Sequence, residues 1–153
     1  MSNIIDNQLR VEGKRETLEM FRNSFAVINS NGEVQDVDLN LLFPVPQNLQ
    51  SDSATEKQKE LGNRLQRLLW GIPTWCCVDG KYKPYVKESE DSDVYTFSSA
   101  WNGPVSFVKH ASILFDDLKF SLVCEDICNH CADFYTILNG EIVSHEFESG
   151  IED

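Results

Sequence analysis

Three cysteines and a histidine lie within eight residues in the last third of the chain. They are Cys124, Cys128, His130 and Cys131. Thiolates and imidazoles are the ligands that tetrahedral zinc prefers, so the cluster suggests a zinc site. The spacing differs from the usual paired Cys-x-x-Cys arrangement, and Cys124 falls on the apolar face of a predicted strand, where a free cysteine acts as a small hydrophobic residue. Buried or incidental thiols are therefore the favoured interpretation and no cofactor is expected, with zinc binding by these four residues as the alternative.

The other candidate groups do not form a recognisable catalytic arrangement. A cysteine nucleophile needs a histidine base within hydrogen-bond reach, and no pattern pairs His110 or His145 with a cysteine. The adjacent carboxylates of Asp116-Asp117 and Glu125-Asp126 would point to opposite faces of a strand, which makes each pair a poor chelator. Glycine-rich phosphate-binding loops are also missing from the sequence. We therefore expect a protein without enzymatic activity.

The negative charge is confined to the second part of the chain. The formal net charge is −12. Residues 1–87 contain 11 acidic and 11 basic residues, whereas residues 88–153 contain 14 acidic residues and only Lys109 and Lys119 as cations. Such a field repels nucleic-acid phosphates and attracts basic protein surfaces. We expect a partner protein with a basic surface and no direct binding to nucleic acid; solubility is the alternative role for this acidity.

Acidic residues and tryptophans define the expected partner-binding surface. Tryptophan has two interpretations here: it closes the ends of a sheet, or it is an exposed anchor of the kind found at binding hot spots. The residues expected on or near the surface are Glu88, Glu90, Asp91, Asp93, Glu125, Asp126, Asp133, Trp75 and Trp101.

Composition favours one cytoplasmic domain spanning residues 1–153. The hydrophobic fraction of 41% is sufficient for a core. No apolar run approaches the roughly 20 residues of a membrane helix, and the first residues lack the features of a signal peptide. Five cysteines, an odd number, favour reduced thiols.

Hydrophobic periodicity predicts strands and helices in alternation, followed by a run of strands. An Asn139-Gly140 dipeptide is a strong hairpin signal near the end of the chain. The predicted strands cover residues 4–12, 37–41, 94–98 and 118–124, and the two arms of the hairpin at 134–138 and 141–147. The predicted helices cover residues 14–25, a segment that follows a capping box at Ser53–Glu56 and ends near Leu69, and a segment after Pro104. The expected apolar stripe of the second helix is Leu61, Leu65, Leu68 and Leu69.

The remaining segments are predicted to be irregular. Residues 79–92 are polar and charged, which predicts a loop or a frayed hairpin. Residues 148–153 are predicted to form a frayed acidic tail. The order of elements is typical of an α+β domain, with a mostly antiparallel sheet and helices packed on one face.

Four turn and strand motifs together resemble a known family. The motifs are Asn7–Gly13, Leu39–Pro46, the turn Trp70–Trp75 and the turn Phe97–Pro104. In this order and approximate spacing they are similar to small phage and plasmid proteins described as Api92-like, or as carrying a YubB-type ferredoxin-like domain. Two positions depart from the family pattern: Cys76 stands where the family often has Asp, and Gly103 replaces the first proline of a double-proline turn.

This resemblance implies a ferredoxin-like α+β fold and an origin in a mobile element, and it implies no reaction. With the charge distribution, it leads to the hypothesis of an acidic phage or plasmid accessory protein in the host cytoplasm. Such a protein would inhibit a host defence or nucleic-acid-processing factor by occupying a basic surface. Two alternatives are a zinc-stabilised or small-ligand binding module built on the cysteine cluster, and a self-assembling structural protein or homo-oligomer.

Overall fold

The computed structural model describes residues 3–49, 51–72 and 83–150, and the backbone alone of residues 75–76. The strands are β1 Ile4–Glu12, β2 Ala26–Ile28, β3 Val34–Val37, β4 Trp75–Cys76, β5 Tyr85–Ser89, β6 Ser92–Ala100, β7 Lys119–Asp126, β8 Cys131–Leu138 and β9 Glu141–Ser149. The helices are α1 Arg15–Phe25, α2 Leu39–Leu42, α3 Glu56–Leu69 and α4 Val105–Leu114, with a 3₁₀ turn at Gln47–Leu49.

Strand β1 lies near the centre of a seven-stranded antiparallel sheet. The strand order is β4-β6-β1-β7-β8-β9, and β5 also pairs with β6. The two strands that flank β1 are β6 and β7, which are joined through α4. Strands β2 and β3 form a separate two-stranded sheet. The prediction of an α+β domain with a mostly antiparallel sheet is thus confirmed.

Alternation along β1 determines which face of the sheet is buried. Ile5, Leu9 and Val11 are buried, as predicted for a strand with one face in the core. Leu9 pairs with Tyr95 on β6 and with Leu122 on β7. Helices α1 and α4 lie over this face, which we call the helix side of the sheet. The opposite face is called the open side.

Aromatic rings fill the space between the helices and the sheet. Phe21 of α1 packs edge-on against Tyr95 and Phe120, with ring centroids 5.6 and 5.3 Å apart. Phe25 lies 4.9 Å from Tyr95 and 5.7 Å from Phe107 of α4. These rings are all buried. Burial of such large side chains provides much of the favourable free energy of folding.

The predicted strand over residues 37–41 is wrong. The strand ends at Val37, and the helix α2 begins at Leu39. The Asp38 side chain accepts a hydrogen bond from the Asn40 backbone N–H, which is the action of a helix N-cap. The alternation of apolar residues in this segment therefore arises from one strand end followed by a single turn of helix.

Helix α3 also differs from its prediction. The capping box consists of Thr55 and Gln58, two residues later than the expected Ser53. Leu61 and Leu68 are exposed, whereas Leu65 and Leu69 are partly buried against the core. The helix approaches the 3₁₀ turn through Gly62, where an added Cβ would lie 3.0 Å from the Leu49 carbonyl oxygen. The buried side of α3 is therefore centred near Gly62, and Leu61 and Leu68 lie outside it.

The C-terminal hairpin is confirmed and is longer than predicted. Asn139 and Gly140 have φ values of 47° and 80°, which suit a tight two-residue turn. Strand β9 continues through Glu148 and Ser149, which pair with Ala132 and Cys131. The expected frayed tail is therefore wrong for residues 148–149, and residues 151–153 lie outside the described ranges. The predicted polar segment forms the β5–β6 hairpin over residues 85–92, whereas its residues 79–82 also lie outside.

An acidic cleft as the candidate functional site

A cavity of about 420 Å³ opens on the helix side of the sheet, at the end where β7 meets β8. We call it the acidic cleft. Its charged side chains are those of Asp126 and Asp133, and the described lining contains no lysine or arginine. The lining residues are Ile5, Gly71, Trp101, Asn102, Gly103, Val105, Ser106, Cys124, Asp126, Cys131, Asp133 and Tyr135.

Strand alternation places the polar groups in the cleft. Residues two apart on a strand lie on the same face, so Cys124 and Asp126 face the helix side with the buried Leu122 of β7. Asp126 pairs with Cys131, which puts the helix-side residues of β8 beside them. Glu125 points to the open side, as expected for neighbours on a strand. Helix α4 begins at Val105, and its first residues, Val105 and Ser106, line the cavity over this end of the sheet.

Asp126 is held in its ionised form by hydrogen bonds. Asn129 donates from its backbone N–H to Oδ1 at 3.1 Å and from its side chain to Oδ2 at 2.8 Å. Asn3 donates to Oδ2 at 2.7 Å. These bonds, with those from Asn129 the largest contribution, lower the pKa of Asp126 below its ordinary value. The carboxylate is therefore charged at neutral pH, and its partners are neutral amides.

Asp133 is positioned by a neighbouring imidazole. His145 Nε2 lies 2.8 Å from Asp133 Oδ1. The imidazole stacks on the Tyr135 ring, with centroids 4.3 Å apart and planes inclined by 11°. Stacking fixes the ring plane and so fixes the direction of the contact with the carboxylate. The result is a carboxylate on β8 with a defined orientation, supported from β9.

The two thiols of the cleft are neutral at physiological pH. Burial, with a smaller contribution from Asp133, raises the pKa of Cys124 to about 12. The pKa of Cys131 is also raised, by desolvation and then by Asp126 and Asp133. Because the thiolate is the reactive form, these cysteines are poor nucleophiles. The charge of the cleft therefore comes from its two aspartates.

Trp101 forms the outer wall of the cleft. It has a positive φ of 71°, and 56% of its surface is exposed. Its backbone N–H donates to the Asn3 carbonyl at 2.7 Å, which anchors the turn to the start of β1. Two residues later the chain approaches β7 closely, since an added Cβ on Gly103 would lie 2.1 Å from Cys124 Sγ. Glycine is required at this point because any side chain would collide with the thiol.

This arrangement is suited to a cation. An indole face attracts ammonium and guanidinium groups, and two aspartates can accept charge-assisted hydrogen bonds from them. A cavity of this size can hold a lysine or arginine side chain. In the described part of the cleft, His145 contacts Asp133 and Tyr135 rather than a cysteine.

The acidic residues expected on one surface lie at two ends of the sheet. On β1, Glu12 pairs with Ser92 and Ile5 pairs with Asp126. Seven residues of strand separate these positions, or roughly 23 Å. The first group consists of Glu88, Glu90, Asp91 and Asp93 in the β5–β6 hairpin. The second group consists of Glu125, Asp126 and Asp133 at the end with the cleft.

Basic residues neutralise much of the hairpin group. Arg10 Nε lies 2.8 Å from Glu88, and Lys87 Nζ lies 2.7 Å from Glu90, which lowers the pKa of Glu90. These exposed pairs leave the hairpin with less attraction for a basic partner than the cleft has.

Asp93 was expected on the binding surface, and this expectation is wrong. The residue is fully buried and lies 2.7 Å from Arg15 Nη1 of α1. Its position on β6 opposite Val11 points it to the helix side. Asp93 therefore attaches the hairpin to α1.

The tryptophans divide between the two interpretations. Trp70 is buried and donates from Nε1 to the Phe43 carbonyl at 3.0 Å, which closes the core after α3. Trp101 is the exposed member. The backbone of Trp75 pairs with Ser99, and its side chain lies outside the described part of the structure.

The residues of the alternative zinc site are spread over a buried strand and an exposed turn. Cys124 is buried on β7, whereas Cys128 and His130 are exposed in the β7–β8 turn. Within the described residues, no group of three or more His, Cys, Asp or Glu side chains is arranged to hold a metal ion.

Sequence reasoning missed Asn3, Gly103, Tyr135 and His145 as parts of the site. The alternation of β7 continues from Cys124 to Asp126, and this signal could have placed Asp126 on the helix side. No local signal indicates that Asn3 reaches Asp126, because the contact depends on the register between β1 and β7.

Comparison with known proteins supports the fold. No family model matches the chain, and no curated protein is significantly similar in sequence. The crystal structure of the protein Api92 from Yersinia pseudotuberculosis, classed under family model DUF1281, has a similar fold. The match covers 100% of both chains with a TM-score of 0.60 and 9% identity. None of the helices in the described ranges is long and apolar enough to cross a membrane. In its architecture, this chain is an α+β protein with an Api92-like fold.

Proposed function

We propose that this protein is a non-enzymatic binding protein whose acidic cleft takes a lysine or arginine side chain from a basic surface of a partner protein. The observation that carries the proposal is the grouping of Asp126, Asp133 and the exposed Trp101 around one cavity without a cation in its described lining. A desolvated cation between carboxylates and an indole is a favourable hot-spot arrangement.

The hydrogen bonds of Asp126 support binding rather than stability as the role of its charge. A carboxylate that neutral amides hold in place keeps its full charge for a ligand, whereas one paired with arginine, such as Asp93, does not. The formal charge of −12 adds long-range attraction and faster association with a basic partner.

The fold itself can be assigned more finely. We propose that the core is ferredoxin-like, made of β1, α1, β5, β6, α4 and β7 in the sheet order β7-β1-β6-β5. The pairing of β1 with β6 and β7 supports this assignment. In this scheme α2, α3 and β2–β4 are an insertion, and β8 and β9 extend the sheet. The resemblance of the turn motifs to phage and plasmid proteins extends the proposal to an accessory protein that inhibits a host factor.

The proposal is tested by recovering partners from a host-cell lysate with two variants of equal charge. The Asp126→Asn/Asp133→Asn variant removes the cleft charges, and the control Glu19→Gln/Asp116→Asn removes two exposed charges elsewhere. We expect a basic protein that binds wild type and the control at low salt, is lost at high salt, and binds the cleft variant at least about tenfold more weakly. Equal recovery by both variants would contradict a role for the cleft.

A further inference from the structure

Strand β9 is an exposed edge of the large sheet. Among the described strands it pairs with β8 alone, and all nine of its residues are exposed. Long edges are usually protected by lysine, proline or a bulge, because their outward backbone groups can pair with another chain. Strand β9 contains no lysine or proline, and its register shift lies near its start, opposite Thr136 and Ile137. The stretch from Ser144 to Glu148 is regular and open.

The hydrogen-bond pattern shows which residues point their backbone groups outward. Gly150 N–H donates to the His130 carbonyl at 2.5 Å, so these two residues form a hydrogen-bonded pair. Pairs alternate along an antiparallel ladder. Ser144, Glu146 and Glu148 therefore direct their backbone groups toward β8. His145 and Phe147 direct theirs away from the sheet, where a further strand would lie.

Side chains on β9 give this edge a chemical preference. Glu146 and Glu148 lie on the open side, and Glu141 adds a third carboxylate at the start of the strand. Phe147 is 61% exposed on the helix side, beside Asp133. Neither β8 nor β9 contains a lysine or arginine. A strand beside this edge would thus meet carboxylates on one face and an aromatic ring on the other.

We propose that β9 accepts an extended segment of a partner protein, in which basic and apolar residues alternate, as an added strand of the sheet. The main-chain bonds would come from His145 and Phe147. The basic side chains would lie across from Glu146 and Glu148.

Charge disfavours a second copy of this chain as the occupant. Two β9 strands side by side would bring together six glutamates without a lysine or arginine. The inference goes beyond the acidic cleft, since it rests on the main chain and glutamates of β9 rather than on Asp126 and Trp101.

The test uses a short, fluorescently labelled synthetic peptide that alternates lysine and valine, followed by anisotropy at low salt. We expect it to bind wild type. A peptide of the same composition with all its lysines first, and a peptide N-methylated at every amide, should each bind at least about tenfold more weakly because alternation or main-chain donation is lost. Equal binding of the three peptides would overturn the proposal.

Protein variants locate the binding to β9. The matched pair is Phe147→Ala, which keeps the outward N–H, and Phe147→Pro, which removes it; both lose the ring. We expect Phe147→Pro to bind about tenfold more weakly than Phe147→Ala. Glu146→Gln/Glu148→Gln should weaken binding by a similar factor relative to the equally charged Glu19→Gln/Asp116→Asn. If the proline variant does not fold, the Glu146→Gln/Glu148→Gln variant and the N-methylated peptide still test whether the peptide binds at β9.

Two further outcomes separate the surfaces. The Asp126→Asn/Asp133→Asn variant should bind the alternating peptide within about threefold of the Glu19→Gln/Asp116→Asn control, because the cleft is a different site. Loss of peptide binding in the cleft variant alone would overturn the proposal for β9. A mass in solution corresponding to a dimer that Phe147→Pro dissociates would overturn it in favour of self-pairing.

Discussion

Individual carboxylates in this protein have different roles that their charge alone does not reveal. Asp126 is exposed to the cleft, with amide partners that keep it ionised, whereas Asp93 is buried and paired with Arg15. Both were predicted from the sequence as members of one acidic surface. Both side chains face the helix side of the sheet, so the difference arises from their partners, which are Arg15 for Asp93 and neutral amides for Asp126.

The buried pair leads to a stability prediction. Asp93→Asn should lower the free energy of unfolding by about 3 kcal/mol, because it leaves the largely buried Arg15 guanidinium without its counter-charge. The exposed neighbour Asp91 provides the control, since Asp91→Asn should change stability by less than about 0.5 kcal/mol. Urea denaturation followed by tryptophan fluorescence measures both variants. Similar values for the two would mean that Asp93 contributes no more than a surface charge.

Elements whose side chains alternate over a long stretch could be predicted from the sequence. Strands β1 and β7 were predicted correctly because one face of each is buried, which makes apolar and polar residues alternate. The C-terminal hairpin was predicted correctly because Asn139 and Gly140 tolerate the positive φ that its turn requires. Short elements could not be predicted, as the Asp38 cap of α2 shows.

The acidic cleft could not be predicted either. It depends on the register between β1, β7 and β8, which brings residues more than 100 positions apart into contact.

Helix α3 allows the capping assignment to be tested with a matched pair. Thr55→Ala removes the acceptor for the Gln58 backbone N–H and should lower stability by about 1 kcal/mol. Ser53→Ala changes the residue that the sequence favoured as the cap and should have little effect, because Ser53 lies before the helix. Thermal unfolding followed by circular dichroism distinguishes them. A larger loss from Ser53→Ala would restore the original assignment.

At the scale of the whole molecule, the core contains ionisable groups that are neutral in the folded state. Tyr95 is fully buried, and its hydroxyl group has no hydrogen-bond partner within the described residues. Burial and the charge of Asp93 raise the pKa of Tyr95 above its ordinary value of 10.0. Cys124 has its pKa raised from 9.0 to about 12. Both groups ionise more easily when the chain is unfolded.

Alkaline pH should therefore destabilise the fold. A raised folded-state pKa means that the contribution of the neutral group is intact below the unfolded pKa and is lost as pH rises above it. The loss begins near pH 9 for Cys124 and near pH 10 for Tyr95, at up to about 1.4 kcal/mol per pH unit for each group. Free energies of unfolding measured between pH 8 and 11 should show this decline.

The Cys124→Ala/Tyr95→Phe variant should show a shallower decline over the same range, whatever its stability at pH 8. Tyr95→Phe alone should not be destabilising, because it removes a buried hydroxyl without a partner in the described structure. An unchanged slope in the double variant would show that other groups control the alkaline limit.

The central position of β1 has a consequence for synthesis of the protein. Its partners on both sides, β6 and β7, end at residues 100 and 126, so β1 leaves the ribosome long before either exists. At ordinary translation rates this interval is on the order of ten seconds. During that time Ile5, Leu9 and Val11 have no sheet to enter. The hairpin β8–β9, in contrast, joins neighbouring segments and can form as soon as it emerges. We expect early packing of α1 over β1 to shield these residues and to keep the strand from pairing with other chains.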